Sequence, residues 1–178
     1  SKVKDIRRRA KVLMIDLSTN YSLVVHLKMT GQLVFVGKER FGAGHPNDSL
    51  VNNLPDKSTR VVIDLNNGCR LFFNDQRKFG WMRLMPTIEI PEIDFMKRVG
   101  PEPLESGFTA DIFIQQIQRR KRSSIKAVLI DQSVLAGVGN IYADESLYLA
   151  KIHPATVVSE ISKAKLVALH RAIVDVLT

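Results

Sequence analysis

A pair of glycines between two helical patterns constrains this chain more than any other stretch. Residues 135–147 read LAGVGNIYADESL, and Gly137 and Gly139 follow an apolar helical run that ends at Ile130. Glycine permits tight turns and the close approach of another backbone. Asn140 stands where a second helix would begin, so its backbone and amide N–H groups could face an anion. The stretch therefore predicts a helix, a glycine turn and a helix start suited to a phosphate.

A run of four cations, RRKR at residues 119–122, lies upstream of this turn. Together the two features predict a grip on a nucleic-acid backbone. The alternative is an ordinary helix hairpin beside a solvated charge run. The residues of this stretch leave both interpretations open.

The charge balance favours a polyanionic partner. The net charge is +8 and the pI is about 9.8, in a chain that is 45% hydrophobic and 25% charged. These values are typical of a globular protein that binds nucleic acid, although basicity alone also occurs for other reasons. A membrane partner is disfavoured, because no helical pattern sets Lys and Arg opposite Trp and Phe. No apolar run approaches the roughly 20 residues that a membrane span needs.

Cys69 is the only cysteine. These residues therefore cannot form an internal disulfide or a cysteine-rich zinc site, and a reducing, intracellular setting is expected. The chain starts without Met and ends inside an apolar-periodic segment that has no cap. We expect it to be part of a longer protein.

The first half of the chain has the pattern of strands. Short β-branched runs with tight connections predict an antiparallel meander of six strands before residue 86. Asn67-Gly68 between apolar runs is a strong hairpin signal. The polar segment Gly37–Thr59 is predicted to be a mobile surface excursion. The predicted strands are residues 12–17, 23–29, 32–36, 60–65, 69–73 and 81–85.

The second half has helical periodicity. Pro86–Pro103 holds four prolines and is predicted to be a linker. Thr109 and Ser162 can cap helices, and the last helix repeats apolar residues at three- and four-residue steps. We predict an α+β two-domain chain, with an antiparallel β-sandwich in residues 1–96 and a helical domain in residues 97–178. A cleft between two such parts is a common binding site.

Five ordered segments resemble formamidopyrimidine-DNA glycosylase, a bacterial family that excises oxidised purines from DNA. Each segment alone is a weak signal, but together they cover nearly the whole chain. They are Arg8–Lys11, His26–Gly31, Asp75–Gly80, Gly100–Leu104, and the region from Ser124 through Gly137–Ala143 to Pro154.

The resemblance implies a truncated β-sandwich followed by a helix–two-turn–helix domain, in a monomer that binds damaged double-stranded DNA in the bacterial cytoplasm, at the nucleoid, and no membrane. It also implies glycosylase and AP lyase chemistry on 8-oxoguanine and formamidopyrimidines. In the family an N-terminal proline amine attacks C1′ and expels the base, and the Schiff base then undergoes β- and δ-elimination. The damaged nucleotide must first leave the stack.

The resemblance also assigns site residues in the first half. Lys11 matches a lysine that supports catalysis beside the sugar, and its alternative role is an ordinary strand-edge lysine. Met29, Arg77 and Phe79 match the residues that fill the hole left by the flipped nucleotide. That role needs apolar or planar bulk and a guanidinium. The alternative for Met29 and Phe79 is core packing.

In the second half, Asn140 matches a phosphate-binding asparagine, and Lys126 matches a lysine near the lesion pocket. A solvated helix face is the alternative for Lys126. Arg122 stands where the family usually has a DNA-contacting lysine. Arginine keeps the positive charge at this position but changes the geometry of the contact. His26 is predicted to be structural rather than catalytic.

The chain departs from the family pattern in three places. The proline–glutamate start and the four-cysteine zinc finger, with its one zinc ion, are absent from these residues, so we expect no cofactor here and no nucleophile. Lys57–Arg60 reads KSTR where many members have a histidine-rich DNA contact. Ser58 cannot replace the charge of an imidazole, although Arg60 could. The Gly37–Thr59 segment is longer than usual.

Other functions remain open. An endonuclease VIII-type enzyme for oxidised pyrimidines has the same architecture, but the Met29, Arg77 and Phe79 set and the Gly100-Pro-Glu-Pro segment favour the purine enzyme. A non-catalytic nucleic-acid-binding module would also explain the basic charge and the glycine turn. A pure interaction domain is the third alternative.

Overall fold

The computed structural model describes residues 1–178 and divides into two compact units, Ser1–Ile88 and Glu89–Thr178. The division falls earlier in the chain than the boundary predicted between residues 96 and 97. Strands fill the first unit and helices the second, which confirms the two-domain α+β class. None of the helices combines the length and the apolar character that a membrane crossing requires.

The first unit contains two antiparallel four-stranded sheets. One has the strand order β1-β2-β3-β8 and the other has the order β5-β4-β7-β6. Both contribute buried apolar side chains, such as Val24 from the first sheet and Phe72 from the second. The strands are β1 (Val3–Arg9), β2 (Val12–Leu17), β3 (Tyr21–His26), β4 (Gly31–Val36), β5 (Arg40–Gly44), β6 (Thr59–Asp64), β7 (Arg70–Asp75) and β8 (Trp81–Pro86).

The prediction of six strands was wrong, because the sequence pattern missed β1 and β5. β1 reads VKDIRRR and is exposed along almost its whole length, so no apolar alternation marks it. β5 contains Gly42 and Gly44, and glycine is depleted in strands. Both are edge strands, formed by pairing with β2 and β4 rather than by burial of their own side chains.

The Gly37–Thr59 segment is not a structureless excursion. Besides β5 it contains a 3₁₀ turn, Asp48–Leu50, and a network of polar side chains. Ser49 Oγ donates to Asp56 Oδ2 at 2.6 Å, and Ser58 donates to Asp56 Oδ1 through both N and Oγ at 2.7 Å. Ser58 is therefore buried, and its hydrogen bonds stabilise this loop.

The Asn-Gly hairpin is confirmed between β6 and β7. Leu65 N donates to Cys69 O at 2.9 Å, and Gly68 has a φ of 78°, which side chains rarely tolerate. β3 is shorter than predicted and ends at His26. Residues 27–30 form a turn, so Met29 lies in a turn and not in a strand.

The second unit contains five α-helices, of which all but the first contribute side chains to one apolar core. Thr109 Oγ1 accepts from Ile112 N at 3.3 Å and Ser162 Oγ from Lys165 N at 3.4 Å, which confirms both predicted caps. The predicted linker was wrong in part, since it contains a 3₁₀ segment and a short helix. The helices are α1 (Asp94–Arg98), α2 (Ala110–Gln118), α3 (Ile125–Ile130), α4 (Asn140–Leu149) and α5 (Lys163–Leu177).

One buried carboxylate joins two turns at an end of the sandwich. Asp75 is 1% exposed and accepts hydrogen bonds from Thr30 Oγ1, from Arg77 N at 3.2 Å and from Gly80 N at 2.6 Å. Thr30 belongs to the turn that contains Met29, whereas Arg77 and Gly80 belong to the next turn. Asp75 therefore fixes the two turns against each other.

The same bonds keep Asp75 ionised. Desolvation by burial raises the pKa of this carboxyl, but hydrogen bonds from Thr30, Gly80, Arg77 and Lys78 outweigh it, so the pKa lies below its ordinary value. A carboxylate that accepts several hydrogen bonds is favoured in its charged form. The network is consequently strongest when Asp75 carries its charge.

A buried histidine lies at the same end. His26 is 7% exposed, and its Nδ1 accepts from Lys28 N at 3.0 Å. Burial, and then the charges of Lys28 and Lys11, lower its pKa to about 4. The ring is therefore neutral at pH 7 and holds the backbone of the following turn, as a structural histidine would.

The first prediction concerns the Asp75 network. Asp75→Asn replaces one acceptor oxygen by an NH₂ donor, which would then face another donor. We expect a loss of about 2 kcal/mol in the free energy of unfolding, measured by urea denaturation at pH 7. Asp64→Asn is the control, since the Asp64 side chain is 73% exposed. Equal stability of the two variants would contradict the role given to Asp75.

The second prediction concerns pH. Because folding lowers the pKa of His26, its stabilising contribution is complete above the ordinary value of 6.5 and is lost as the pH falls towards about 4. His26→Gln should lower stability at pH 7.5 and should flatten the decline between pH 6.5 and 4.5. His153→Gln is the matched control, since His153 Nδ1 also accepts a backbone N–H two residues ahead, but on the surface. An unchanged decline in the His26 variant would contradict this account.

Candidate nucleic-acid interface

Four of the seven predicted site residues lie at one end of the sandwich. In the first sheet Val12 pairs with His26 and His26 with Trp81, while in the second sheet Gly31 pairs with Asp75. Residues 27–30 and 76–80 connect these rows, so the rows are at the same end of the unit. The turns that leave them carry Lys11, Met29, Arg77 and Phe79.

Met29 and Phe79 are exposed rather than part of the core. Their exposed fractions are 65% and 53%, so the core-packing alternative is wrong for both. The guanidinium carbon of Arg77 lies 4.7 Å from the centroid of the Phe79 ring, within cation–π range. The end of the sandwich thus presents apolar bulk and a stacked guanidinium on turns fixed by Asp75.

Lys11 occupies the tight turn between β1 and β2. It follows Ala10, whose φ is 51°. Burial, and then the charge of Lys28, lower the pKa of Lys11 below its ordinary value. Lys28 is the cationic neighbour of both Lys11 and His26, and the sequence analysis did not single it out.

A second cationic group flanks the same end. Arg60 Nε donates to the backbone oxygen of Asp75 at 2.9 Å. A cavity of about 660 Å³ is lined by Lys57, Arg60 and Gln76 together with Ser49, Asp56 and Ser58 of the loop network. Arg60 therefore reaches the turn that carries Arg77, whereas Ser58 is committed to the loop.

In the second unit the glycine turn has the predicted form. Gly137 has a φ of 81°, and α4 begins at Asn140. Gly139 is the N-cap and supplies no side-chain acceptor. The N–H groups of the first helical turn therefore remain available to an anion, which the helix dipole also attracts.

Two contacts brace the glycine turn. Gln132 Nε2 donates to Val138 O at 2.7 Å, and its Oε1 accepts from Gly137 N at 2.9 Å. Gly100 packs so closely on Val134 that a Cβ there would overlap the Val134 backbone. The close packing at this position therefore requires glycine as the first residue of the Gly100–Leu104 segment. Gln132 was missed, because a single glutamine in a polar stretch gives no sequence signal.

Lys126 is paired. Its Nζ lies 2.8 Å from Asp144 Oδ1, which ties the first turn of α3 to α4. Asp144 is four residues after Asn140, so Lys126 reaches the face of α4 that begins at Asn140. The Lys126 side chain is 33% exposed and that of Asp144 is 49% exposed, so the pair lies on a partly solvated helix face and the solvated-face alternative stays open.

Arg122 lies in the turn between α2 and α3. Two backbone hydrogen bonds from the 3₁₀ segment Val158–Glu160 stabilise this turn. Ser159 N donates to Lys121 O at 3.0 Å, and Val158 N donates to Ser123 O at 3.1 Å. Residues 119–123 line a cavity of about 330 Å³. Arg120 lies 3.7 Å from Asp131, and the rest of the run remains a concentrated positive patch.

Comparison with family models gives two matches in chain order. Residues 1–82 match the formamidopyrimidine-DNA glycosylase N-terminal domain, and residues 99–178 match the formamidopyrimidine-DNA glycosylase H2TH domain.

Individual proteins give the same result. The chain is 39% identical to a formamidopyrimidine-DNA glycosylase of Desulforamulus reducens and 43% identical to one of Herpetosiphon aurantiacus, in each case over 98% of this chain and 58% of the relative. A Lactococcus lactis enzyme, solved non-covalently bound to DNA that contains an AP site, matches with a TM-score of 0.81 and 28% identity over 98% of this chain and 61% of that one.

The chain therefore spans about three fifths of the length of the relatives that it matches, 58% for the two curated ones. The matches cover both units in the same order. This chain belongs to the formamidopyrimidine-DNA glycosylase family.

Proposed function

We propose that this chain is the DNA-binding part of a DNA repair glycosylase with AP lyase activity, acting on oxidised purines such as 8-oxoguanine and formamidopyrimidines. One observation carries the proposal. The Asp75 carboxylate fixes two turns that expose Met29, Arg77 and Phe79 together. Related Lactococcus lactis structures contain abasic-site DNA or DNA with Fapy-dG, which supports damaged double-stranded DNA as the partner.

The exposed side chains suit a gap in a DNA duplex. When a nucleotide leaves the stack, its neighbours lose stacking contacts worth a few kcal/mol per step. Met29 and Phe79 supply apolar surface for that gap. Arg77, stacked on Phe79, supplies donors for the orphaned base or a nearby phosphate.

Lys11 acts beside the sugar and phosphate of the flipped nucleotide. Its lowered pKa has burial as the main cause, so its amine is partly desolvated before DNA arrives. A desolvated ammonium binds a phosphate more strongly than a hydrated one. We assign Lys11 to hold the lesion phosphate and support the chemistry at C1′.

The second unit binds the DNA backbone. The first turn of α4 and the Asn140 amide offer N–H donors to one phosphate, and Arg122 offers a charge to another. Lys126 forms an ion pair with Asp144. To contact DNA near the lesion, Lys126 must leave this ion pair or bind Asp144 and the DNA at the same time.

Two parts of the family chemistry have no counterpart among these residues. These residues include no proline before Pro46, and Cys69 is their only cysteine. No group of three or more His, Cys, Asp or Glu side chains converges in the structure. These residues therefore do not fit a zinc ion, and no step is assigned to one. In the family pattern a four-cysteine finger would hold it.

The third prediction tests the gap-filling role. The 178-residue chain should bind a short duplex with an abasic site more tightly than the intact duplex, measured by fluorescence anisotropy. The logarithm of affinity should fall with the logarithm of salt concentration by about 0.9 per neutralised phosphate.

A double variant, Met29→Ala with Phe79→Ala, provides the matched comparison. It should lose the preference for the abasic duplex and keep the salt dependence. If the unaltered chain showed no preference, a non-catalytic nucleic-acid-binding module would describe it better. If it showed no salt-sensitive binding at all, an interaction domain would remain.

The fourth prediction concerns the chemistry. Without an N-terminal proline, the 178-residue polypeptide should neither cut abasic DNA nor form a Schiff base that borohydride traps. The measurement is gel electrophoresis of the DNA and mass spectrometry of the protein after borohydride treatment. Trapping through Lys11 or another lysine would contradict it. Release of 8-oxoguanine rather than thymine glycol by the protein with a proline start would separate the purine enzyme from the endonuclease VIII type.

A further inference from the structure

Three strained residues lie at the DNA-facing end of the first unit. Among all non-glycine residues only five have a positive φ, and Ala10, Lys28 and Lys78 are three of them, at 51°, 52° and 61°. Each directly precedes a predicted site residue, which is Lys11, Met29 or Phe79 respectively. Residues held in this region cost about 1 kcal/mol or more and tend to lie at functional sites.

Of these three residues, Lys28 carries a charged side chain next to Lys11. The proposed function gives that side chain no role. β2 and β3 run antiparallel with Val12 opposite His26, so the residue before Val12 lies beside the turn that follows His26. Lys11 and Lys28 occupy those two places. The bond from Lys28 N to His26 Nδ1, at 3.0 Å, fixes the backbone of that turn.

The charge of Lys28 is not neutralised within the chain. Its side chain is exposed and forms no ion pair. Its field reaches Lys11 and His26 closely enough to lower the pKa of each, after the larger effect of burial. Like charges at short range repel each other, and an anion bound between them reverses the sign of that interaction.

The residue type supports a role for the side chain. Glycine adopts a left-handed φ without the steric cost that a Cβ brings. A lysine at this position therefore gives up backbone stability and gains a cation beside Lys11.

We propose that Lys28 and Lys11 together bind one phosphate of the DNA backbone, as a two-ammonium clamp next to Met29. The clamp rests on the proposed function, because it needs DNA at this end of the unit. It adds Lys28 to the contacts that the family resemblance assigns. Lys28 is a phosphate-binding residue in this arrangement, and it takes no part in the bond that reacts.

The fifth prediction uses two glycine variants of the 178-residue chain. Lys28→Gly removes the charge and the strained side chain together. Lys151→Gly is the matched control, since Lys151 is also exposed, has a φ of 53° and lies in the second unit. Both variants should be as stable as the unaltered chain or more stable, measured by thermal unfolding.

Binding to the abasic duplex should separate them. Lys28→Gly should weaken binding about tenfold at low salt and lower the slope of log affinity against log salt by about 0.9, the value for one phosphate. Lys151→Gly should leave both quantities unchanged. Lys28→Arg keeps the positive charge, so it should show the same slope of log affinity against log salt as the unaltered chain.

A second readout follows Lys11 directly. The rate at which an amine-reactive reagent labels Lys11, followed by mass spectrometry across pH, reports its titration. Lys28→Gly should move the midpoint upward because it removes a repelling charge, and Lys151→Gly should not move it.

The outcomes distinguish the clamp from the function on which it rests. If the unaltered chain shows no salt-sensitive binding, the proposed function fails and the clamp fails with it. If the unaltered chain binds and Lys28→Gly behaves like Lys151→Gly in slope, the proposed function stands and the clamp is refuted.

Discussion

The organisation of the first unit depends on the Asp75 carboxylate. It is almost completely buried at the end of β7 and is satisfied by Thr30 from one turn and by backbone N–H groups from the next. A buried charge without these partners would be very costly, so each turn is held in the one arrangement that satisfies it. Because the turns themselves carry no buried core, this polar contact fixes where Met29 and Phe79 stand.

The same end of the unit combines features that folding alone disfavours. Met29 and Phe79 leave apolar surface in water, and Lys11 and Lys28 place two cations close together. The left-handed φ of Lys28 adds backbone strain. Each cost is offset if this surface binds a DNA duplex with a nucleotide removed from its stack. The apolar side chains are then buried in the gap, and the cations pair with a phosphate.

The sequence predicted those parts in which local chemistry decides the structure. Thr109 and Ser162 cap helices, Gly68 forms the hairpin turn, and α4 begins at Asn140, because capping and left-handed turns depend on a few adjacent residues. β1 and β5 could not be predicted, since edge strands form by pairing with a neighbour and lack a buried face. Gln132 bonds to residues only five and six positions ahead, but a single glutamine in a polar stretch gives no sequence signal. The partner of Lys126 lies 18 residues away on the next helix, which no local pattern reveals. The exposure of Met29 also contradicts what an apolar residue beside a strand suggests.

In the function that we propose, residues of the first unit and residues of the second unit bind the same DNA duplex. The most direct measurement is an NMR titration of the 178-residue chain, labelled with ¹⁵N, with a short duplex that contains an abasic site. We expect the amide signals of residues 27–30, 76–80 and 137–141 to shift together, with one dissociation constant. Shifts in only one of these groups, or two different dissociation constants, would contradict it.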